Sequence, residues 1–275
     1  MGISRQGVHQ AVQRQGILAA QIEQIVAFAQ AIRREHPKMG ARIIYGKMAL
    51  SPDCRDWFEQ FGRDKIEAIL LNNGFRVVKA KNYHKTTVRG YFVFKNLIKE
   101  MTINTINQVW VSDITYFFVV QTGVVTHYYL TFIMDLCSRR LIGFAVSDNL
   151  TTESTTLPAL QMALKVRHIS ENQIIKNLIL HSDGGGQYAD KNFLALMKKH
   201  NIISSMGKQA YDNPNAERIN GTIKNDYLLP WEVNSFAKLE LLTPKAIKNY
   251  NQDRPHSALK GMSPIEFEKK CNTLE

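Results

Sequence analysis

Near residue 105 the hydrophobic period of this chain changes from helical to strand-like, and that change limits the fold more than any other feature. Upstream, residues 3–15 read as a short helix capped by Ser4. Ile22, Ile25, Val26, Phe28 and Ile32 place a second helix over 20–36, ended by Pro37 and Gly40 in "HPKMG". Residues 41–50 suit a third helix. Residues 63–74 suit a fourth, with Ile66, Ile69 and Leu70 on one face and Gly74 as a stop. Downstream, residues 108–120, 127–136 and 140–147 read as three strands of an antiparallel meander, with Gly123 at the first turn. A helix over 152–167 follows, then a fully apolar strand over 177–183 of the kind buried on both faces. A helix over 190–200, a strand over 202–206 and helices over 215–229 and 236–251 complete the reading.

The order β-β-β-α-β-α-β-α predicts a ribonuclease-H-like α/β core with a five-stranded mixed sheet. It occupies 105–270 and is preceded by a small helical, helix-turn-helix-like region over 1–100, with the boundary near 97–107. No apolar run approaches the roughly 18 residues of a membrane helix and no secretory signal is visible, so the expectation is a soluble intracellular protein. Cys54, Cys137 and Cys271 form no CxxC pair, which argues against both a zinc site and a disulfide framework.

Charge divides the chain. Its net charge is +11, and residues 1–100 hold seventeen Lys and Arg against eight Asp and Glu, whereas the rest is nearly balanced. A basic arm on a near-neutral body suits a polyanion-binding module joined to a catalytic one. Arg76, Lys79, Lys81, Lys85, Arg89, Lys95 and Lys99 follow one another with no intervening acid, and Tyr83, Tyr91 and Phe92 interleave them. Cations for phosphates and aromatic faces for bases make this stretch a candidate DNA contact.

Three acids stand out in the core: Asp113 in "WVSDITY", Asp183 in "LILHSDGGGQY" and Glu217 in "NAERINGTIK". Phosphodiester chemistry asks for two divalent cations about 4 Å apart, held by carboxylates that converge from different elements. A mid-strand Asp in an apolar setting is costly unless neutralised, and three glycines after Asp183 leave room for a bulky ligand. Each acid also has a plainer reading, as a turn residue or as a complement to a helix dipole. Asp135 is a rival to Asp113, because "MDLCSRR" also ends a strand, and spacing does not exclude it. Lys224, two helical turns after Glu217, is placed to hold a phosphate, and Arg254 and His256 flank Pro255 in a possible strand contact.

Taken with "DLCSRRLIGFAVS", "DNPNAERINGTIKNDYL" and "YNQDRPHSALKGMSPIEF", these segments resemble the integrase-type transposases of bacterial insertion sequences, in particular their OrfB-type subunit. The resemblance implies a DDE triad of Asp113, Asp183 and Glu217, with Lys224 as its downstream basic partner, and so selects Asp113 over Asp135. It implies Mg²⁺, two ions per site with Mn²⁺ able to substitute, nicking at element ends and joining of the freed 3′-hydroxyl to another phosphodiester. It also implies terminal-repeat and target DNA as substrates, a homo-oligomer in the synaptic complex and an upstream OrfA-type partner. The interval from Asp183 to Glu217 is slightly shorter than usual in that family, and the shortening falls in a loop, where length costs little. Two other readings are a hydrolysis-only nuclease of the same fold and a DNA-binding regulator with an inactive core.

Overall fold

The computed structural model describes residues 5–78, 94–121, 124–169, 177–207 and 212–272. Two compact units emerge, Met1–Lys81 and Asn82–Glu275.

The first unit is helical: α1 (Arg5–Glu35), α2 (Ala41–Leu50), α3 (Arg55–Gln60) and α4 (Arg63–Asn72). Two helices were expected where α1 runs unbroken. Gly16, in its middle, costs about 1 kcal/mol against alanine, and the strong helix formers around it outweigh that. Ser4, the expected cap, lies outside the described residues. Ile25 and Ala29 of α1, Ile44 and Met48 of α2, and Ile66 and Leu70 of α4 share one core. Arg33 closes its end, donating to the carbonyls of Met39 (2.9 Å) and Phe75 (2.8 Å) and lying over the Phe75 ring. The six residues of α3 are too few to show a period in the sequence. The basic positions Lys79, Lys81, Lys85 and Arg89, with the interleaved aromatics, lie outside the described residues.

The second unit is built on β1 (Val109–Gln121), β2 (Val124–Asp135), β3 (Leu141–Ser147), β4 (Ile179–Ser182) and β5 (Ile203–Met206), in sheet order β3-β2-β1-β4-β5. β1, β2 and β3 are antiparallel neighbours, whereas β4 runs parallel to β1 and β5 parallel to β4, giving the expected mixed sheet. Gly123 falls outside the described residues. The helices are α5 (Thr156–Val166), α6 (Lys191–Lys199), α7 (Pro214–Gly221), α8 (Phe236–Asp253) and α9 (Pro264–Asn272). α9 is short, and no helix was read there from the sequence. Residues 94–100, read as the end of the helical region, belong instead to this unit: Leu97 N donates to Ser205 Oγ and Met206 N to the Lys95 carbonyl, along the β5 edge.

Alternation along β1 divides the core. Val109, Val111, Phe117 and Val119 meet Ile219, Ile223, Leu239 and Tyr250 on one side. Trp110 meets Leu160, Ala163 and Phe193 on the other. α5 lies so close to β3 that a Cβ at Gly143 would run into the Ala159 carbonyl, which is why that strand position is glycine. Among the described residues no helix is long and apolar enough to cross a membrane.

Candidate active site

The parallel register of β1 and β4 pairs Val109 with Ile179, Trp110 with Leu180 and Val111 with His181. Extending it by two residues sets Asp113 level with Asp183, just past the end of β4. In a parallel pair, level residues point to the same face. Asp113 therefore lies on the side of the sheet covered by α7 and α8, and Asp183 stands beside it. Gly185 N donates to Asp183 Oδ1 at 3.1 Å, where the first turn after the strand wraps the carboxylate.

α7 brings the third acid. Pro214 occupies the first helical turn and Glu217 follows within it. Ala216, Ile219 and Asn220 face the sheet, and Asn220 Nδ2 donates to Asp113 Oδ2 at 2.7 Å. Asn213 Nδ2 donates to the Ser112 carbonyl at 2.9 Å, fastening the start of the helix to the same strand. After Gly221 the helix widens into a π-helical turn, Thr222–Leu228, a feature common at functional sites. From it Lys224 Nζ reaches Thr115 Oγ1 at 3.1 Å, two residues along β1 from Asp113 and on the same face.

Burial pushes the Asp113 carboxyl well above its ordinary value, and the charges of Asp183 and Glu217 push it further, against the pull of Lys224. Burial also raises Asp183 and Glu217. Burial lowers Lys224, with Asp113 opposing. An environment that makes neighbouring carboxylates costly to ionise is one that a cation would relieve. Asn220 Oδ1 is buried without a partner. Carboxylates and an amide oxygen form a hard donor set that fits Mg²⁺ and not a soft metal. Among the described residues no three His, Cys, Asp or Glu side chains stand together as a metal-binding group. Two acids are side by side, and Glu217 acts on them through space from an exposed helix position.

The rival acids have other work. Asp135 is fully buried, and its carboxylate accepts from the backbone N–H groups of Asn107 (2.7 Å), Cys137 (3.0 Å) and Ser138 (2.9 Å) and from Ser138 Oγ. It fixes the turn between β2 and β3. Asp190 caps α6 by accepting from Asn192 N. Arg254 is held by Asp226 at 2.7 Å and lies over the Tyr227 ring. Burial and the positive charges of Arg254 and Arg139 depress His256 to about 4. Reading the sequence missed Asn213 and Asn220, which look like turn and helix fillers. The available signal was position: Asn220 lies three residues after Glu217, on nearly the same helix face. It also missed His181, which is buried and joins Ser205 Oγ (2.8 Å) to the Asp212 carbonyl (3.2 Å), bracing the strands beneath the site.

Residues 104–211 match the family described as "Integrase core domain", and 199–264 match a second family of the same description. The transposase InsF of insertion sequence IS3A from Escherichia coli (strain K12) is 30% identical over 235 residues, covering 82% of this chain and 77% of that protein. The chain belongs to the bacterial insertion-sequence transposases with an integrase-type core. An uncharacterized 31 kDa protein of insertion element IS600 from Shigella sonnei is 28% identical over 279 residues, covering 99% of this chain and 97% of that protein. Among solved structures, the HTLV-2 integrase catalytic core domain in complex with magnesium superposes with a TM-score of 0.45 at 21% identity, over 58% of this chain and 95% of that one. A likeness that loose carries no residue-by-residue correspondence. The placement of Asp113, Asp183 and Glu217 stands on this transposase's own sheet register and helix contacts.

Proposed function

We propose that this transposase cuts DNA at the ends of its insertion element and joins the freed 3′-hydroxyl to target DNA, using Asp113, Asp183 and Glu217 as its carboxylate triad. The observation that carries the reading is the pairing of Asp113 with Asp183 on adjacent parallel strands, with the Glu217 helix tied to the same Asp113 by Asn220. Buried neighbouring acids that repel one another are poor structural elements and good cation holders.

Asp113, Asp183 and Glu217 would hold two Mg²⁺ ions, or Mn²⁺ in their place. When bound, these activate the attacking oxygen and stabilise the leaving one. Asn220 keeps the Asp113 carboxylate in one orientation through Oδ2, leaving Oδ1 directed elsewhere. Lys224, drawn toward Asp113, offers its ammonium to a phosphate oxygen of the strand being cut. The nucleophile is water in cleavage and a DNA 3′-hydroxyl in joining, so no residue becomes covalently attached to DNA. The glycines after Asp183 let a backbone phosphate approach, and Gly186 carries open space where a Cβ would stand. Lys79, Lys81, Lys85, Arg89 and Arg254 are proposed DNA contacts. For Arg254 that means exchanging Asp226 for a phosphate. Synapsis of two element ends calls for a homo-oligomer, with an OrfA-type subunit as a further partner, in the bacterial cytoplasm beside the nucleoid.

The test is incubation of the purified chain with a labelled duplex bearing its element's end and Mg²⁺ or Mn²⁺, beside a Glu217→Gln control. Cleavage and end-joining that vanish in the control support the triad. Cleavage that survives Glu217→Gln removes Glu217 from it, and nicking without joining favours a nuclease.

A further inference from the structure

We propose that Arg139 is a positioning residue for the helix that carries Glu217, acting through Asn215; this rests on the transposase reading of that helix. Arg139 lies in the turn between β2 and β3 with φ of 60°. That left-handed conformation suits glycine or asparagine and strains a long side chain. Strain of this kind persists only where the surroundings over-determine it, and it gathers at functional sites.

The surroundings here do over-determine it. The Asp135 carboxylate gathers the N–H groups of Cys137 and Ser138, and Asp135 N closes the turn on the Arg140 carbonyl at 2.9 Å. Glu268, arriving from α9, accepts from Ser138 Oγ at 2.6 Å and from Arg140 Nη1 at 2.6 Å. Tyr250, arriving from α8, donates its hydroxyl to the Arg139 carbonyl at 3.1 Å. Three elements thus converge on one strained residue, which a glycine would satisfy more cheaply if only the turn mattered.

The side chain explains the arginine. Its Nη1 donates to Asn215 Oδ1 at 2.6 Å. Asn215 is the second residue of α7, and Glu217 lies two further on. Among the described residues no hydrogen bond holds the Glu217 carboxylate itself, so the helix start sets its position. That start is fastened to β1 through Asn213 and to the β2–β3 turn through Asn215. Removing the second link frees the first helical turn to shift, and a shift of 1 Å at a reacting centre costs about a hundredfold in rate.

Arg139→Gly is the informative variant, because glycine relieves the backbone strain while deleting the guanidinium. In the full chain it should keep or raise the thermal midpoint. It should lower the kcat of end cleavage about tenfold to a hundredfold, with end-DNA affinity within about twofold of the parent. Asn215→Ala should give the same loss, and the double variant no further loss, since both break one link. Amide hydrogen exchange over 214–221 should rise in both variants while β1 and α9 stay protected. Unchanged exchange in that segment would overturn the proposal, as would weakened DNA binding with kcat intact, which would make Arg139 a DNA contact. Activity falling only in step with stability would overturn it too. If the unaltered chain cleaves nothing even with an OrfA-type subunit added, the catalytic reading of the Glu217 helix fails, and the exchange measurement still decides whether Arg139 holds that helix.

Discussion

Asp113 and Asp135 lie on neighbouring strands of one sheet, in similar sequence settings, and do opposite things. Asp135 is enclosed by donors: three backbone N–H groups, a serine hydroxyl and, at 3.5 Å, the guanidinium of Arg167. Asp113 has fewer donors, the Asn220 amide and the Ile114 backbone N–H, and faces two other acids with Lys224 opposing them. Burial raises both carboxyls, but Asp135 is drawn back by its turn and by Arg167. A buried carboxylate whose lone pairs are satisfied by its own fold is part of the architecture. One whose few donors are set against two neighbouring acids is reserved for something that arrives later.

Substitution at each position can break that contrast. Asp113→Asn should reduce end cleavage by at least about a thousandfold, the scale of losing a preorganised charged group, with DNA binding retained in a mobility-shift assay. Loss of binding together with cleavage would make Asp113 structural, like Asp135. Asp135→Ala should instead destabilise the fold by about 3–5 kcal/mol in denaturant unfolding, because the N–H groups of Asn107, Cys137 and Ser138 lose their acceptor, while Arg167 keeps its bonds to Glu268. A cost below about 1 kcal/mol would show that the turn holds without it.

The third expectation concerns pH. Between the ordinary carboxylate range and the raised value of Asp113, the folded protein binds a proton that the unfolded chain has released. Stability of the metal-free protein should therefore be greatest at and below the ordinary carboxylate range, and should fall as pH rises from there toward the raised value. Asp113→Asn should remove much of that decline and raise the neutral-pH thermal midpoint, by about 2–4 °C for each kcal/mol gained. Mg²⁺ should stabilise the parent and not the variant. A midpoint that drops in Asp113→Asn at neutral pH would contradict the electrostatic account. The smallest effect belongs to Asp226→Ala, which frees Arg254 from a partly exposed pair and should change stability by about 1 kcal/mol or less. If Arg254 contacts DNA, the same variant should tighten binding at low salt, and unchanged affinity would remove Arg254 from the interface.

The strands of the core and the type of its fold were legible because their cause is local. Period-two alternation in 108–120 and the apolar run in 177–183 report which faces are buried, and burial follows from sequence pattern. The mid-strand Asp113, the strand-end Asp183 and the Glu217–Lys224 segment could likewise be singled out in a single chain. Less legible was α1, read as two helices over 3–15 and 20–36 with a gap that good helix formers bridge. The helix expected over 215–229 is there, but its change from α to π hydrogen bonding after Gly221 leaves no mark in hydrophobic period. Asn213, Asn215 and Asn220 read as turn and helix fillers because their partners, Ser112, Arg139 and Asp113, are distant in sequence.

By itself the sequence determined the elements, the separation of a basic arm from a neutral body, and a short set of acids able to do metal-assisted chemistry. Those are properties of composition and period, which each segment carries alone. Only the tertiary structure decided between Asp113 and Asp135 on physical grounds. Whether a charge is satisfied depends on which donors the fold brings to it, and here they come from a parallel strand register, a helix start and turns contributed by remote parts of the chain.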